Sequence, residues 1–226
     1  MGRYFLAFTI LGLAAATAQA QVSCEFHPPG TYGPFDYNDG LARRDNLPLV
    51  EVAHFTHQVE NLSSGNTSSY VGADLSYTLN AFPNHYRALD AMSRLGVKEH
   101  TLRPRGSRCT VEGWFQRAVE FKPNDAMVHM TFGTHFYRHD MFDKAIEQLK
   151  EAARIDPKNA NVQYNLGLIY YDQKKYAEAK ASAINAYASH FPLDGLRNKL
   201  IKAGLWDGKL PATAETKSPP ASQPAN

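Results

Sequence analysis

Residues 126–159 read AMVHMTFGTHFYRHDMFDKAIEQLKEAARIDPKN, and residues 160–193 read ANVQYNLGLIYYDQKKYAEAKASAINAYASHFPL. Laid over each other, the two 34-residue blocks match Gly133 to Gly167, Phe136 to Tyr170 and Tyr137 to Tyr171. Phe142 falls on Tyr176, Ala145 on Ala179 and Ala152 on Ala186. A fixed period of this length marks stacked helical hairpins, because one hairpin cannot bury its apolar face alone and a neighbour must cover it. Each block reads as a first helix, a tight turn (His139-Asp140 or Gln173-Lys174) and a second helix. Alanines in the second helices permit close approach of the partner helix. Pro157 closes the first block, since proline cannot continue a helix.

The period extends outward in degraded form. Val111, Phe115, Ala118, Phe121 and Pro123 repeat the spacing of Ala145, Leu149, Ala152, Ile155 and Pro157, so a second helix is predicted there. Its first helix is expected over about Asn84–Leu95, with Tyr86, Leu89 and Met92 on one face, and Gly96–Ser107 is an insertion. Downstream, Leu193–Ala203 carries Leu196, Leu200 and Ile201 and is expected to cap the open end of the stack, with Gly204 at its C-cap. Residues 21–83 do not show the period and are read as an irregular segment with one or two short helices. Val52, Phe55, Val59 and Leu62 supply the helical spacing. The tail, 208–226, is rich in Pro, Ala, Ser and Thr and is expected to be disordered.

The first twenty residues combine one early cation (Arg3), an apolar run from Tyr4 to Ala16 and the small-x-small end Ala18-Gln19-Ala20. That is the pattern of a secretory signal cleaved near Ala20, and its apolar run is too short for a good transmembrane span. The expected location is periplasmic or secreted, with no transmembrane anchor. Cys24 and Cys109 are then the only pair available in an oxidising compartment. Their bridge would close a loop of about 85 residues, on the order of 4 kcal/mol in the chain-entropy view. Two unpaired thiols are the other reading, and a lipid anchor on Cys24 is disfavoured by Gln21 where a lipobox would carry leucine. Residues 21–91 hold three cations against eight carboxylates, a balance of −5, whereas 92–140 hold eight against five, +3. Arg94, Lys98, Arg103, Arg105 and Arg108 crowd one loop. The simplest expectation is a basic loop facing the acidic N-terminal segment, with an anionic partner as the second. A near-neutral total on an exported chain argues against nucleic acid.

The repeat residues resemble the tetratricopeptide repeat family. Its first-helix pattern reads here as His129…Phe132-Gly133…Phe136 and Gln163…Leu166-Gly167…Tyr170. Its second-helix pattern reads as Ala145…Leu149…Ala152…Pro157, and the opening tryptophan is absent from both blocks. The resemblance implies an all-α superhelix of two full repeats, one degenerate repeat and a capping helix over about 84–207. Gly33-Pro34-Phe35-Asp36-Tyr37 and Phe82-Pro83-Asn84-His85 look like segments preceding repeats in uncharacterised exported bacterial proteins, a likeness that brings no activity with it. The family further implies a concave groove for a peptide or protein partner. Its positions fall on Met127, Met130, Thr134, Tyr137 and Arg138, then on Asn161, Tyr164, Asn165, Leu168 and Tyr171. The alternative is that Tyr164 and Tyr171 hold the N-terminal segment in that groove. The carboxylate clamp of chaperone-tail binders is not matched, because it needs lysines and asparagines that Met130 and Thr134 do not supply, and only Asn165 fits.

Nine histidines raise a metal-binding alternative. His54, His57 and Glu60 would share one helical face, with His85 nearby, and His135 and His139 stand four apart on one helix. Histidines at this spacing are common without metal, and no cofactor is expected. No Gly-x-Ser-x-Gly elbow, glycine-rich phosphate loop or catalytic cysteine motif occurs, so no catalytic residue is assigned. The functional expectation is a non-catalytic interaction module or assembly adaptor. A metal-dependent protein and a structural subunit of an envelope assembly are the alternatives.

Overall fold

The computed structural model describes residues 32–210, which form eleven helices and, among the described residues, no strand. In chain order these are α1 (Gly40–Asp45), α2 (Leu47–His54), α3 (His57–Glu60), α4 (Val71–Ala81), α5 (Tyr86–Lys98) and α6 (Val111–Phe121). The repeats follow as α7 (Ala126–Arg138), α8 (Phe142–Ile155), α9 (Ala160–Asp172) and α10 (Tyr176–Ala188), with α11 (Gly195–Lys202) after them. The architecture is the all-α, tetratricopeptide-like hairpin stack that the period predicts. First helices α5, α7 and α9 form one row, and α6, α8 and α10 follow each of them as second helices. The expected signal segment, Cys24 and the tail beyond 210 lie outside the described residues.

The periodic glycines sit where the helices approach most closely. A Cβ on Gly133 would stand 2.7 Å from Leu149 Cγ and 3.0 Å from the Ala145 carbonyl oxygen. On Gly167 it would meet Leu196 at 2.4 Å and the Ala179 carbonyl oxygen at 3.3 Å. Both glycines therefore admit the backbone of the second helix in their own hairpin, and the alanines at 145 and 179 complete the fit from the other side. Around them one core runs from Phe55 through Leu89, Phe115, Phe132 and Leu149 to Ile169.

First helices start on the same device. Asp125 Oδ1 accepts the N–H groups of Met127 and Val128, and Asn159 Oδ1 accepts those of Asn161 and Val162. At α5 the cap is His85, whose Nδ1 accepts from Ala88 N–H at 3.2 Å. Helix ends repeat too. Met141 N–H bonds the Phe136 carbonyl and Lys175 N–H the Tyr170 carbonyl, while Asp140 and Lys174 adopt φ of 57° and 59°. This left-handed closure favours glycine, which neither repeat supplies. Lys174→Gly is therefore expected to stabilise the fold by about 0.5–1 kcal/mol, read as a rise of roughly 2–3 °C in Tm. An unchanged midpoint would show that Lys174 bears no strain.

The N-terminal segment departs from expectation, with four helices where one or two were foreseen. α4 ends at Phe82-Pro83-Asn84-His85 as α6 ends at Lys122-Pro123-Asn124-Asp125, with the same turn into the next first helix. Val71, Leu75, Thr78, Ala81 and Pro83 also repeat the spacing of Val111, Phe115, Ala118, Phe121 and Pro123. α4 is thus the second helix of a preceding hairpin, and α2, which packs on it, takes the place of the first helix. The sequence hid this because Tyr86 and Ala126 are 40 residues apart, six more than the period. Of the cations foreseen in one loop, Arg94 and Lys98 stand on α5 instead, and both, like Arg105 of the loop itself, face the N-terminal segment through neutral partners. Lys98 Nζ donates to the Leu62 carbonyl at 2.7 Å, Arg94 Nη2 to the Glu60 carbonyl at 2.9 Å, and Arg105 lies 4.3 Å over the Tyr70 ring. The cross-segment ion pairs come from elsewhere, at Arg87–Glu60 and Lys122–Asp36.

Candidate binding groove

Between α5 and α7, closed at one side by the end of α3, lies a cleft of about 270 Å³. Met127, Met130, Thr131 and Thr134 of α7 line it opposite Tyr86, Arg87 and Asp90 of α5, with Glu60 at the rim. The α7 residues fall at successive helical turns, so their side chains share one face. Each threonine hydroxyl donates to a carbonyl of its own helix, Thr131 to Met127 at 2.7 Å and Thr134 to Met130 at 2.9 Å. Neither hydroxyl is left seeking a ligand, and the α7 wall is in effect apolar and thioether-lined.

The charged walls are braced. Arg87 forks onto Glu60 at 2.9 and 2.6 Å, which raises its guanidinium above the ordinary arginine value. Asp90 accepts from Arg94 at 2.8 Å and from Arg138 at 2.6 Å. Arg138 also donates to Ser93 Oγ at 3.1 Å, and Ser93 Oγ is hydrogen-bonded to His135 Nδ1 at 2.9 Å. His135 is buried, and burial first of all, then His139, Arg138 and Lys144, pushes it down to about 3. The imidazole is neutral, a strut rather than a base.

Of the groove positions foreseen, Met127, Met130 and Thr134 come together in this cleft. Arg138 is committed to Asp90 and Ser93, and Tyr137 hydrogen-bonds Asp172 of the next first helix. On α9, Asn161 is exposed and Asn165 half-buried. Tyr164 stacks on Phe191 at 4.2 Å, and Leu168 and Tyr171 pack against the cluster around Leu196, Leu200 and Trp206. Tyr164, Leu168 and Tyr171 therefore pack against the chain's own C-terminal segment. The physical reason is that α9 belongs to the last full hairpin, and its open face must be covered by α11. The cleft residues not foreseen are Glu60, Tyr86, Arg87 and Asp90. Arg87 and Asp90 stand 40 residues before Met127 and Met130, so allowing a six-residue insertion in the period would have found them.

His54 and His57 do not share a helical face as foreseen, whereas the His135 and His139 rings do lie 4.8 Å apart. His54 ends α2 and His57 begins α3, because the chain breaks at Phe55-Thr56. His54 Nδ1 meets Asp74 at 2.9 Å with its ring stacked on Tyr77, and buried His85 donates from Nε2 to Glu51 at 3.1 Å. Burial holds His85 below its ordinary value despite Glu51. His135 serves Ser93, and His139 caps the C-terminus of α7. Among the described residues no three His, Cys, Asp or Glu side chains group as metal ligands. No helix among them is long and apolar enough to cross a membrane.

Residues 133–174 match the profile of the TPR repeat. Over 104 residues, 46% of its length, the chain is 29% identical to the small glutamine-rich tetratricopeptide repeat-containing protein 2 of Mycosarcoma maydis. It spans only 28% of that relative's length. The central hairpins are thus similar to tetratricopeptide repeats in sequence as well as in architecture, which points to a protein–protein interaction module.

Proposed function

We propose that this chain is an exported, non-catalytic adaptor that holds a segment of a partner protein in the α5–α7 cleft. The observation that carries the reading is the pair Met127 and Met130 facing Tyr86 between two braced ion-pair walls. Methionine adapts to irregular apolar surfaces, and fixed walls limit the entropy lost on binding. An apolar side chain of the partner occupies the cleft, and the exposed Asn161 is available further along the first-helix row. Export is supported by the signal-like first twenty residues, and a Cys24–Cys109 bridge by Cys109 not being a free thiol.

The test is photo-crosslinking in exporting cells, with a benzophenone side chain at 130 or, as a back-face control, at exposed Lys150. A partner trapped from 130 and not from 150 is expected, and Met127→Glu should weaken its binding in purified form at least about tenfold. Equal trapping at both positions, or an unchanged affinity, would refute the assignment.

A further inference from the structure

The stack ends in a half hairpin on either side. α11 stands where the period places a first helix, since Ile201 falls 34 residues after Gly167 as Gly167 falls 34 after Gly133. At 133 and 167 this position meets the second helix of the same hairpin. Among the described residues no second helix follows α11. Residues 203–210 turn back instead, and a Cβ on Gly208 would stand 2.9 Å from Ile201 Cδ1. They fill the place only in part, because Ile201 remains 43% exposed.

At the other end, α1 precedes and packs on α2 as α8 precedes and packs on α9, which gives it the place of a second helix. It is six residues long, and among the described residues no first helix comes before it. Leu41 of α1 is 63% exposed. On α2, Leu49 and Val52 share the face turned away from buried Leu47 and Val50 and are 62% and 72% exposed. A helical stack stays soluble by closing on polar faces, and these ends are aliphatic.

The two ends differ in charge. Residues 39–60 carry four carboxylates against two arginines, −2, whereas residues 194–210 carry four cations against two carboxylates, +2. Partners on neighbouring helices narrow the difference without reversing it. Arg87, which meets Glu51 and Glu60, brings the first end to −1, and Asp172, which meets Lys199, brings the second to +1. Like ends therefore repel, and unlike ends attract.

We propose that copies of this chain associate head to tail, the α11 end of one receiving the α1–α2 end of the next. The incoming α1 supplies the second helix that α11 lacks, and Leu41, Leu49 and Val52 are covered together with Ile201. Such an interface is heterologous, so every assembly keeps one free end of each kind and grows into open oligomers rather than closed dimers. A patch of so few side chains is well below the about 800 Å² per partner of a stable complex, and a dissociation constant on the order of 100 μM is expected.

Sedimentation of the full mature chain over a range from about 5 to about 500 μM tests the proposal, with a weight-average mass that rises across it. Leu41→Asp combined with Leu49→Asp blocks the N-terminal end, and Ile201→Asp blocks the C-terminal end. Each should weaken association at least about tenfold, and Lys202→Glu combined with Lys209→Glu about threefold to tenfold. The substituted side chains are exposed, so the variants should fold, and thermal unfolding checks it. An equimolar mixture of the two blocked chains should form a dimer at the parent affinity that neither forms alone, since each supplies the end that the other lacks. Met130→Glu, in the groove, should leave association unchanged. A mass that stays monomeric throughout, or no dimer in the mixture, would overturn the proposal. So would self-association of the Ile201→Asp chain, which would mean that like ends pair. Association that appears only after removal of residues 211–226 would likewise overturn it and make that tail the occupant of the α11 end.

Discussion

Asp125→Ala is expected to lower the stability of the protein by about 3 kcal/mol, several times the ordinary cost of losing a helix cap. Its Oδ1 caps α7, a contribution of about 1 kcal/mol. Its Oδ2 accepts from Asn84 Nδ2 at 2.9 Å and from Asn38 Nδ2 at 2.7 Å. Asn84 is fully buried and has further duties, since its Oδ1 accepts the Tyr37 N–H at 2.8 Å and its Nδ2 also donates to Asp36. Burial would raise the Asp36 carboxyl, yet Lys122 and these donors hold it below its ordinary value, so this junction is assembled around charge. Truncating Asp125 leaves a buried amide without one acceptor, at about 1–3 kcal/mol, and loosens the N-terminal strap from α7. Asn159→Ala removes the same cap in the next repeat, where no strap is attached, and should cost only about 1 kcal/mol. Urea unfolding of the two variants measures the difference. Equal losses would mean that the strap contributes nothing through Asp125.

Acidification from pH 7 to pH 5 is expected to cost about 2 kcal/mol of stability through His135 alone. Packed 3% exposed between Phe115, Phe136 and Ser93, His135 stays neutral in the fold down to about pH 3. In the unfolded chain the same ring takes up a proton near pH 6.5. Below that pH the unfolded state binds the extra proton, so its stability advantage grows by about 1.4 kcal/mol per pH unit until the folded value is reached. The native contribution is therefore fully present above pH 6.5 and declines as pH falls. His85, lowered for the same reason, adds in the same direction. His135→Ile, which places here the residue that the next repeat carries at Ile169, should flatten the decline between pH 7 and pH 5. Urea titrations at the two pH values report it. A slope identical to that of the parent would show that His135 titrates normally.

Much of the stack was legible from spacing. Gly133 and Gly167, the alanines opposite them and the Pro157 stop dictate hairpins because backbone approach and helix termination are local requirements. The half repeat before them was legible through Val111, Phe115 and Ala118. The helix α4 was not, because Thr78 replaces the expected alanine and the inserted loop shifts its register. The groove was legible on its α7 side only, since Arg87 and Asp90 lie out of phase and Glu60 arrives from a helix with no period at all.

Taken by itself, the sequence determined the hairpin unit, its turn positions and the row of first helices, all governed by residues within one period of each other. The tertiary structure alone decided which stretch of that row stays open. α11 covers the Tyr164, Leu168 and Tyr171 face, whereas the α5–α7 face is left between ion pairs whose partners lie 27 to 48 residues apart. Charge pairing and end-capping join residues with no fixed spacing, so no pattern along the chain encodes them.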